Sequence, residues 1–192
     1  KSAHFIGIGG CGMNAIAFAF LESNVQVSGS DLNDSKVTRK LKKAGAIVYK
    51  GHQAENLGNP DVVLISTAVP PDNPELVEAQ RRKIPILHRS EGLGLFLKTR
   101  KSILVSGTHG KTTTSALAGI ALEAGKLDPW VFVGGFVPRF DGNVWHGKGE
   151  HAVAEADESD GSFEQLPVDH LIVTNMEEEH LDICKTGKAM RE

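Results

Sequence analysis

Two cysteines in 192 residues, Cys11 and Cys184, are too few and too far apart to build a disulfide framework. Their scarcity points to a reducing compartment, and the expected location is the cytoplasm. There is no basic tract, and the formal net charge is −3. Affinity for a phosphodiester backbone rests on clustered Lys and Arg, so nucleic acid is not an expected partner. No apolar run approaches the roughly 20 residues that a spanning helix needs, so membrane insertion is not expected either. No secretory signal is legible, although the chain opens at Lys1 and not at Met. Internal repeats and low-complexity segments are also missing, which argues against a solenoid or a disordered chain.

What is present is a globular composition, 40% hydrophobic and 23% charged, in a length suited to one or two domains. The chain is organised around Ile103 to Thr114, Ile-Leu-Val-Ser-Gly-Thr-His-Gly-Lys-Thr-Thr-Thr. Ile103-Leu104-Val105 reads as a buried strand, and Gly107 to Thr112 as a glycine-bearing loop. Thr112 onward, through Leu117, Ile120, Ala121 and Leu122, reads as a helix ending near Gly125. Strand, glycine loop, Lys-Thr and helix are the parts of a phosphate cradle. The helix start turns N–H groups and a positive dipole end toward an anion. Lys111 adds a compact positive charge, and the Thr112 hydroxyl can ligate Mg²⁺. The strict pattern G-x-x-x-x-G-K-[ST] is not met, because Val105 stands where it needs glycine. The strand–loop–helix context identifies the motif instead.

The first half of the chain alternates strands with helices. His4 to Gly9 is a short apolar strand running into Gly7-Ile8-Gly9-Gly10-Cys11-Gly12, a match to G-x-G-x-x-G. A helix is expected over Met13 to Leu21, and a strand from Val25 that ends at Ser30-Asp31. Asp31 lies about 20 residues past Gly12, where a dinucleotide-binding unit places its ribose-binding acid. Further expectations are a helix from Lys36 to Ala44, strands at Ala46 to Tyr49, Asp61 to Ser66 and Ile84 to Leu87, and a short helix opened by Ser90-Glu91. Asn73-Pro74-Glu75 starts another helix, with Asn as cap, Pro in the first turn and an acid near the positive end. This is an α/β pattern with a parallel sheet covered on both faces. Thr99-Arg100-Lys101 is the expected boundary.

After the phosphate loop come an expected strand at Trp130 to Gly134, a loop or hairpin over Pro138 to Glu150, and a strand from His151 to Asp157. That strand ends in Glu155-Ala-Asp157-Glu158-Ser159-Asp160. An acid at a strand end beside a phosphate loop is where Mg²⁺ needs its carboxylate, and that ion takes few protein ligands. Leu171 to Val173 is a strand running into Thr174-Asn175, and Glu177 to His180 lies at an expected helix start. His109, inside the loop, must stand near phosphates or the acceptor. Cys11 reads as a small loop residue and not as a nucleophile. No Ser/His/Asp or Cys/His nucleophile arrangement stands out.

Gly-Thr-His-Gly-Lys-Thr-Thr-Thr, Glu-Ala-Asp-Glu-Ser-Asp-Gly-Ser-Phe and Thr-Asn-Met-Glu-Glu-Glu-His-Leu-Asp resemble the Mur ligases, ATP-dependent amide-forming enzymes of peptidoglycan synthesis. The resemblance runs from residue 4 to about residue 183. His4 to Met13, Ser28 to Asp31, Ser66-Thr-Ala-Val69 and Asp72-Asn-Pro74 are similar to the members that join L-alanine to UDP-N-acetylmuramate. Cys11 stands where a small residue such as Ala is expected, and Asn14 is also unusual. The resemblance implies a Rossmann-like UDP-sugar domain over 1–99 and the N-terminal part of a P-loop ATPase domain over 100–192. The remaining ATPase strands and the C-terminal domain would lie outside this chain, which alone would be inactive.

The resemblance also implies roles. Gly107, Thr108, His109, Gly110, Lys111, Thr112 and Thr113 would hold ATP. Thr112, Glu155 and His180 would ligate Mg²⁺, and Lys111, Glu155 and His180 would be catalytic. Gly9, Gly10, Cys11, Gly12, Met13, Asp31, Ser66 and Thr67 would bind the UDP-sugar. His109, Asp157, Ser159 and Asn175 would also face substrate. Two alternatives remain at this point. One is a murein-peptide ligase acting on the same sugar nucleotide, and the other is an NAD-dependent oxidoreductase resting on the first loop and Asp31.

Overall fold

The computed structural model describes residues 1–156 and 166–176. The chain divides into two compact units, Lys1–Gly92 and Leu93–Glu192.

The first unit contains β1 (Ser2–Ile6), α1 (Met13–Glu22), β2 (Gln26–Asp31), α2 (Lys36–Lys43) and β3 (Ile47–Lys50). It continues with β4 (Val62–Ile65), α3 (Pro74–Arg81), β5 (Ile86–His88) and α4 (Arg89–Leu97), within which the division falls. The strand order is β3-β2-β1-β4-β5, and every pairing is parallel. The central strand β1 is covered on both sides, so Ala3, Phe5 and Ile6 are all fully buried. That is why its buried residues are consecutive, His4 among them, and do not alternate. Strand order reverses between β1 and β4, and the crevice beyond their carboxyl ends is where open α/β sheets bind ligands. The glycine loop after β1, Asp31 at the end of β2 and Ser66-Thr67 after β4 all lie at that edge.

Helix starts follow local rules. Asn73 Oδ1 accepts from the N–H groups of Glu75 and Leu76 at 2.9 and 3.2 Å. At α2, Ser35 and Thr38 form a reciprocal capping box. Boundaries differ from the sequence expectations by up to three residues.

The second unit holds β6 (Lys101–Ser106), α5 (Lys111–Ala124), β7 (Trp130–Val137), β8 (Gly142–Trp145), β9 (His151–Glu155) and β10 (His170–Val173). Their order is β10-β6-β9-β7-β8. All pairs are parallel except β7–β8, a hairpin built from the glycine-rich stretch after Val137. Val105, Val131, Val133 and Val153 form its core. Helix α5 buries the large apolar residues that suggested it only in part: Leu122 packs against the core, whereas Leu117 is 60% exposed. It also buries Ser115, Ala116 and Gly119. A methyl group on Gly119 would lie 2.4 Å from Val131 Cγ2, so small residues let the helix approach β7 closely.

Gly29 in β2 is equally constrained. A Cβ there would sit 2.6 Å from the Phe5 carbonyl oxygen and 2.7 Å from Ile8 Cδ1. Backbone cannot rotate away as a side chain can. Gly29→Ala should therefore destabilise the first unit by about 1–3 kcal/mol, the range for overpacking a core. Thermal melting followed by circular dichroism checks this, and an unchanged midpoint would refute it.

Candidate functional site

The phosphate-loop motif forms the expected geometry. Strand β6 ends at Ser106, the loop turns through Gly107 and Gly110, and α5 begins at Lys111. Gly107 has φ 130° and Gly110 φ 83°, both in the region that favours glycine. A Cβ on Gly107 would also collide with Thr174 Oγ1 at 2.2 Å, so two independent reasons require glycine there. The Lys111 ammonium lies over the loop and donates to the Gly107 carbonyl at 2.6 Å.

The loop is held from β10. Asn175 Oδ1 accepts from the His109 N–H at 2.9 Å, and Asn175 Nδ2 donates to the His109 carbonyl at 3.2 Å. The Thr174 hydroxyl donates to the same carbonyl at 2.6 Å and stands 3.2 Å from the Ser106 carbonyl. Asn175, expected to face substrate, thus braces the backbone of the loop. Thr174 was not singled out by sequence, and its partner lies 65 positions away.

Glu155 ends β9 directly beside β6, in register with Val105. A Cβ on Gly134 would come within 2.9 Å of Glu155 Oε2, and one on Gly135 within 3.6 Å of Thr112 Cγ2. Thr112 and Glu155 therefore lean on consecutive glycines of β7, which keep that strand bare beside both side chains. Glu155 Oε1 is buried with no hydrogen-bond partner among the described residues. A carboxylate oxygen in that state is costly to leave unpaired, and a cation would satisfy it. Among the described residues no group of three or more His, Cys, Asp or Glu is assembled for a metal. Mg²⁺ does not need one, since one carboxylate plus a hydroxyl, phosphate oxygens and water suffice. The residues present fit that ion.

The first glycine loop is anchored on the end of β2. Gly7 and Ile8 N–H both donate to the Ser30 carbonyl at 2.9 Å. Gly9 N–H donates to Asp31 Oδ2 at 2.9 Å, and Asn33 N–H to Asp31 Oδ1 at 3.0 Å. Asp31 accordingly serves the loop itself. Asn14 Nδ2 donates to the Gly10 carbonyl at 2.7 Å, which gives that unusual residue a structural task. Cys11 is exposed and forms no disulfide. Arg89, at the start of α4, brings a guanidinium nitrogen within 3.4 Å of where a Gly12 Cβ would be. Nothing in the local sequence pattern marks it, because it reaches the loop from a distant helix.

Beneath this loop lies a buried polar network. The Glu75 side chain is fully buried. Ser30 Oγ donates to its Oε2 at 2.5 Å, and Asn56 Nδ2 to its Oε1 at 2.9 Å. The Gln53 N–H donates to Oε1 at 3.3 Å. His4 Nε2 and His52 Nδ1 lie 3.5 and 3.4 Å from Oε2. His4 also meets Ser28 Oγ at 2.9 Å. Burial pushes the Glu75 carboxyl up, but the nearby His4 and hydrogen bonds from Ser30 and Asn56 outweigh it and hold the pKa at about 2. Sequence placed this acid at a helix start, where it would complement the dipole. The structure bears out that position and adds that it is an interior anion with several donors.

Asp157, Ser159, His180 and the expected helix at Glu177 to His180 lie outside the described residues.

Two α/β units with largely parallel sheets, each with a glycine loop between its first strand and first full helix, place this protein in the α/β class. The family described as "Mur ligase family, catalytic domain" matches residues 2–101. The chain belongs to the Mur ligase family, as its motifs indicated. It is 47% identical over 192 residues to the UDP-N-acetylmuramate–L-alanine ligase of Dictyoglomus turgidum, covering 100% of this chain and 41% of that protein. It is 49% identical over 186 residues to the ligase of the same name from Pelotomaculum thermopropionicum, covering 97% and 40%. The chain thus spans about two fifths of the length of these curated relatives. Among solved structures it is similar to the UDP-N-acetylmuramate-alanine ligase of Thermotoga maritima, with TM-score 0.88 and 35% identity, over 99% of this chain and 45% of that one. It is also similar to the Neisseria meningitides UDP-N-acetylmuramate:L-alanyl-gamma-D-glutamyl-meso-diaminopimelate ligase, with TM-score 0.85 and 27% identity, over 100% and 65%.

The Glu75 environment has a pH signature. Its folded pKa is depressed from 4.5 to about 2, so the stability it confers is fully present above about pH 4.5. That contribution is lost as pH falls through about 2. Glu75→Gln removes the titration. The stability difference between wild type and variant should shrink by about 3 kcal/mol between pH 5 and pH 2, at about 1.4 kcal/mol per unit. Urea titrations across this range check it, and a difference independent of pH would contradict the assignment.

Proposed function

We propose that this chain supplies the sugar-nucleotide and ATP-phosphate sites of an ATP-dependent ligase. The ligase joins L-alanine to the lactyl carboxylate of UDP-N-acetylmuramate, through an acyl phosphate, in peptidoglycan synthesis in the cytoplasm. The observation that carries this reading is the loop of Gly107 to Thr113 on β6 and α5, with the unpartnered Glu155 oxygen at the neighbouring strand end. The shared name of the curated relatives supports the choice of amide donor and acceptor. Among the described residues no helix is long and apolar enough to cross a membrane.

The chemistry requires two anions, a carboxylate and a triphosphate, to be held against each other. Positioning and charge offset carry most of such a reaction. The backbone of Gly107, Thr108, His109 and Gly110 and the start of α5, at Lys111, Thr112 and Thr113, would cradle the β- and γ-phosphates of ATP. The Lys111 ammonium, now on the Gly107 carbonyl, needs only to rotate to meet phosphate oxygen. The Thr112 hydroxyl and Glu155 carboxylate would hold Mg²⁺, with His180 as ligand of a second ion. Mg²⁺ there would offset charge developing on the transferred phosphoryl group. Asn175 and Thr174 keep the loop amides fixed while this happens, and His109, Asp157 and Ser159 would line the acceptor side.

In the first unit, Gly9, Gly10, Cys11, Gly12 and Met13 at the start of α1 would take the diphosphate of the UDP-sugar, with Arg89 as counter-charge. Asp31, Ser66 and Thr67 would border the nucleoside. The NAD-dependent alternative is not favoured, since it leaves the second glycine loop without a role. The murein-peptide alternative is not favoured either, because identity is higher to the alanine ligases.

Isothermal titration should show UDP-N-acetylmuramate binding and no NAD binding. The reverse result would sink the proposal. In the full-length enzyme, Lys111→Ala should lower turnover by roughly 10²–10³, the scale for losing one preorganised donor. Affinity for the UDP-sugar should stay near the wild-type value. Near-normal turnover would mean that the Gly107–Thr112 loop is not the ATP site.

A further inference from the structure

Glu75 holds the second position of α3, where an acid ordinarily lies in water and complements the helix dipole. That role does not require burial, yet Glu75 is fully buried. Removing a carboxylate from water is unfavourable unless donors are arranged around it. The donors here converge on one place, the ends of the strands from which the first glycine loop departs.

Ser30 is the joint. Its hydroxyl donates to Glu75 Oε2 at 2.5 Å, and its carbonyl accepts from the N–H groups of Gly7 and Ile8. The next residue, Asp31, accepts from Gly9 N–H. Three consecutive amides of the loop are therefore tied to two consecutive residues of β2, and Glu75 fixes the first of those from below. His4 on β1 and His52 after β3 close the network on either side. His52 is 18% exposed, whereas His4, Ser30 and Glu75 are sealed from solvent. Hydrogen bonds in such an interior polarise one another and stiffen the group as a unit. A binding loop gains affinity when its amides are held in place beforehand.

We infer that Glu75 is a positioning residue for the first glycine loop: through Ser30 it sets where the loop amides stand, and so the affinity for the diphosphate of a sugar nucleotide. The inference rests on the proposed reading of that loop as the diphosphate site. Glu75 touches no substrate and acts through β2.

The test is equilibrium binding of UDP-N-acetylmuramate to the full-length protein and to Glu75→Gln, Ser30→Ala and the double variant. Gln keeps the volume of Glu but turns an NH₂ group toward groups that also donate. Each single variant should weaken binding about tenfold. The double variant should be no worse than the weaker single, because both changes break one link. The KM for ATP should stay at its wild-type value, which a general loosening of the fold would not spare. Glu75→Asp, which keeps the charge, should recover part of the loss. If Glu75→Gln does not fold, Ser30→Ala decides, since it removes only a hydroxyl. Folded variants that bind the sugar nucleotide as the wild type does, whatever their melting temperatures, overturn the inference. A wild type that does not bind it overturns the proposed function as well, and the unmodified protein alone reveals that case.

Discussion

Bare backbone, held still at the carboxyl end of a parallel strand, is the constraint on which the rest of this structure depends. A loop that presents N–H groups to an anion must shed its side chains. With few side chains it has little apolar anchorage of its own, Ile8 in the first loop excepted. Both glycine loops therefore borrow their rigidity from a neighbouring strand. In the first unit Ser30 and Asp31 at the end of β2 take the amides of Gly7, Ile8 and Gly9. In the second, Thr174 and Asn175 at the end of β10 hold the His109 peptide. The sheet order that places β2 beside β1 and β10 beside β6 is what makes both arrangements possible.

Two acids, the fully buried Glu75 and the half-buried Glu155, show how the same residue type is put to opposite uses. Every oxygen of Glu75 has donors, which holds its pKa near 2 and leaves it nothing further to offer a ligand. Glu155 has an oxygen with no partner among the described residues. The first is a fixed internal charge that braces structure. The second is the group proposed to take a cation. Hydrogen-bond satisfaction separates the two, in addition to their different burial.

Small residues perform the corresponding work in packing. Gly119 lets α5 approach Val131, and Gly134 and Gly135 keep β7 bare beside Glu155 and Thr112. The phosphate loop can then stand close to the acid at the end of β9. Leu122 adds a partly buried contact with the core, while Leu117 faces solvent.

By itself the sequence determined the α/β class, the order of strands and helices, the two glycine loops, the Asn73 cap and the family. Those features arise from residues near one another in the chain: periodicity, turn chemistry and capping act over a few positions. It also carried Lys111, Thr112 and Glu155 as candidates, since each follows a strand end. Only the tertiary structure decided which side chains hold the loops. Thr174 reaches His109 across 65 positions and Glu75 reaches Ser30 across 45, and no local pattern encodes such pairings. The structure likewise showed that Asp31 braces Gly9, and brought Arg89 to Gly12. The physical reason is common to all of these. A hydrogen bond depends on direction and distance between atoms that only the completed sheet brings together.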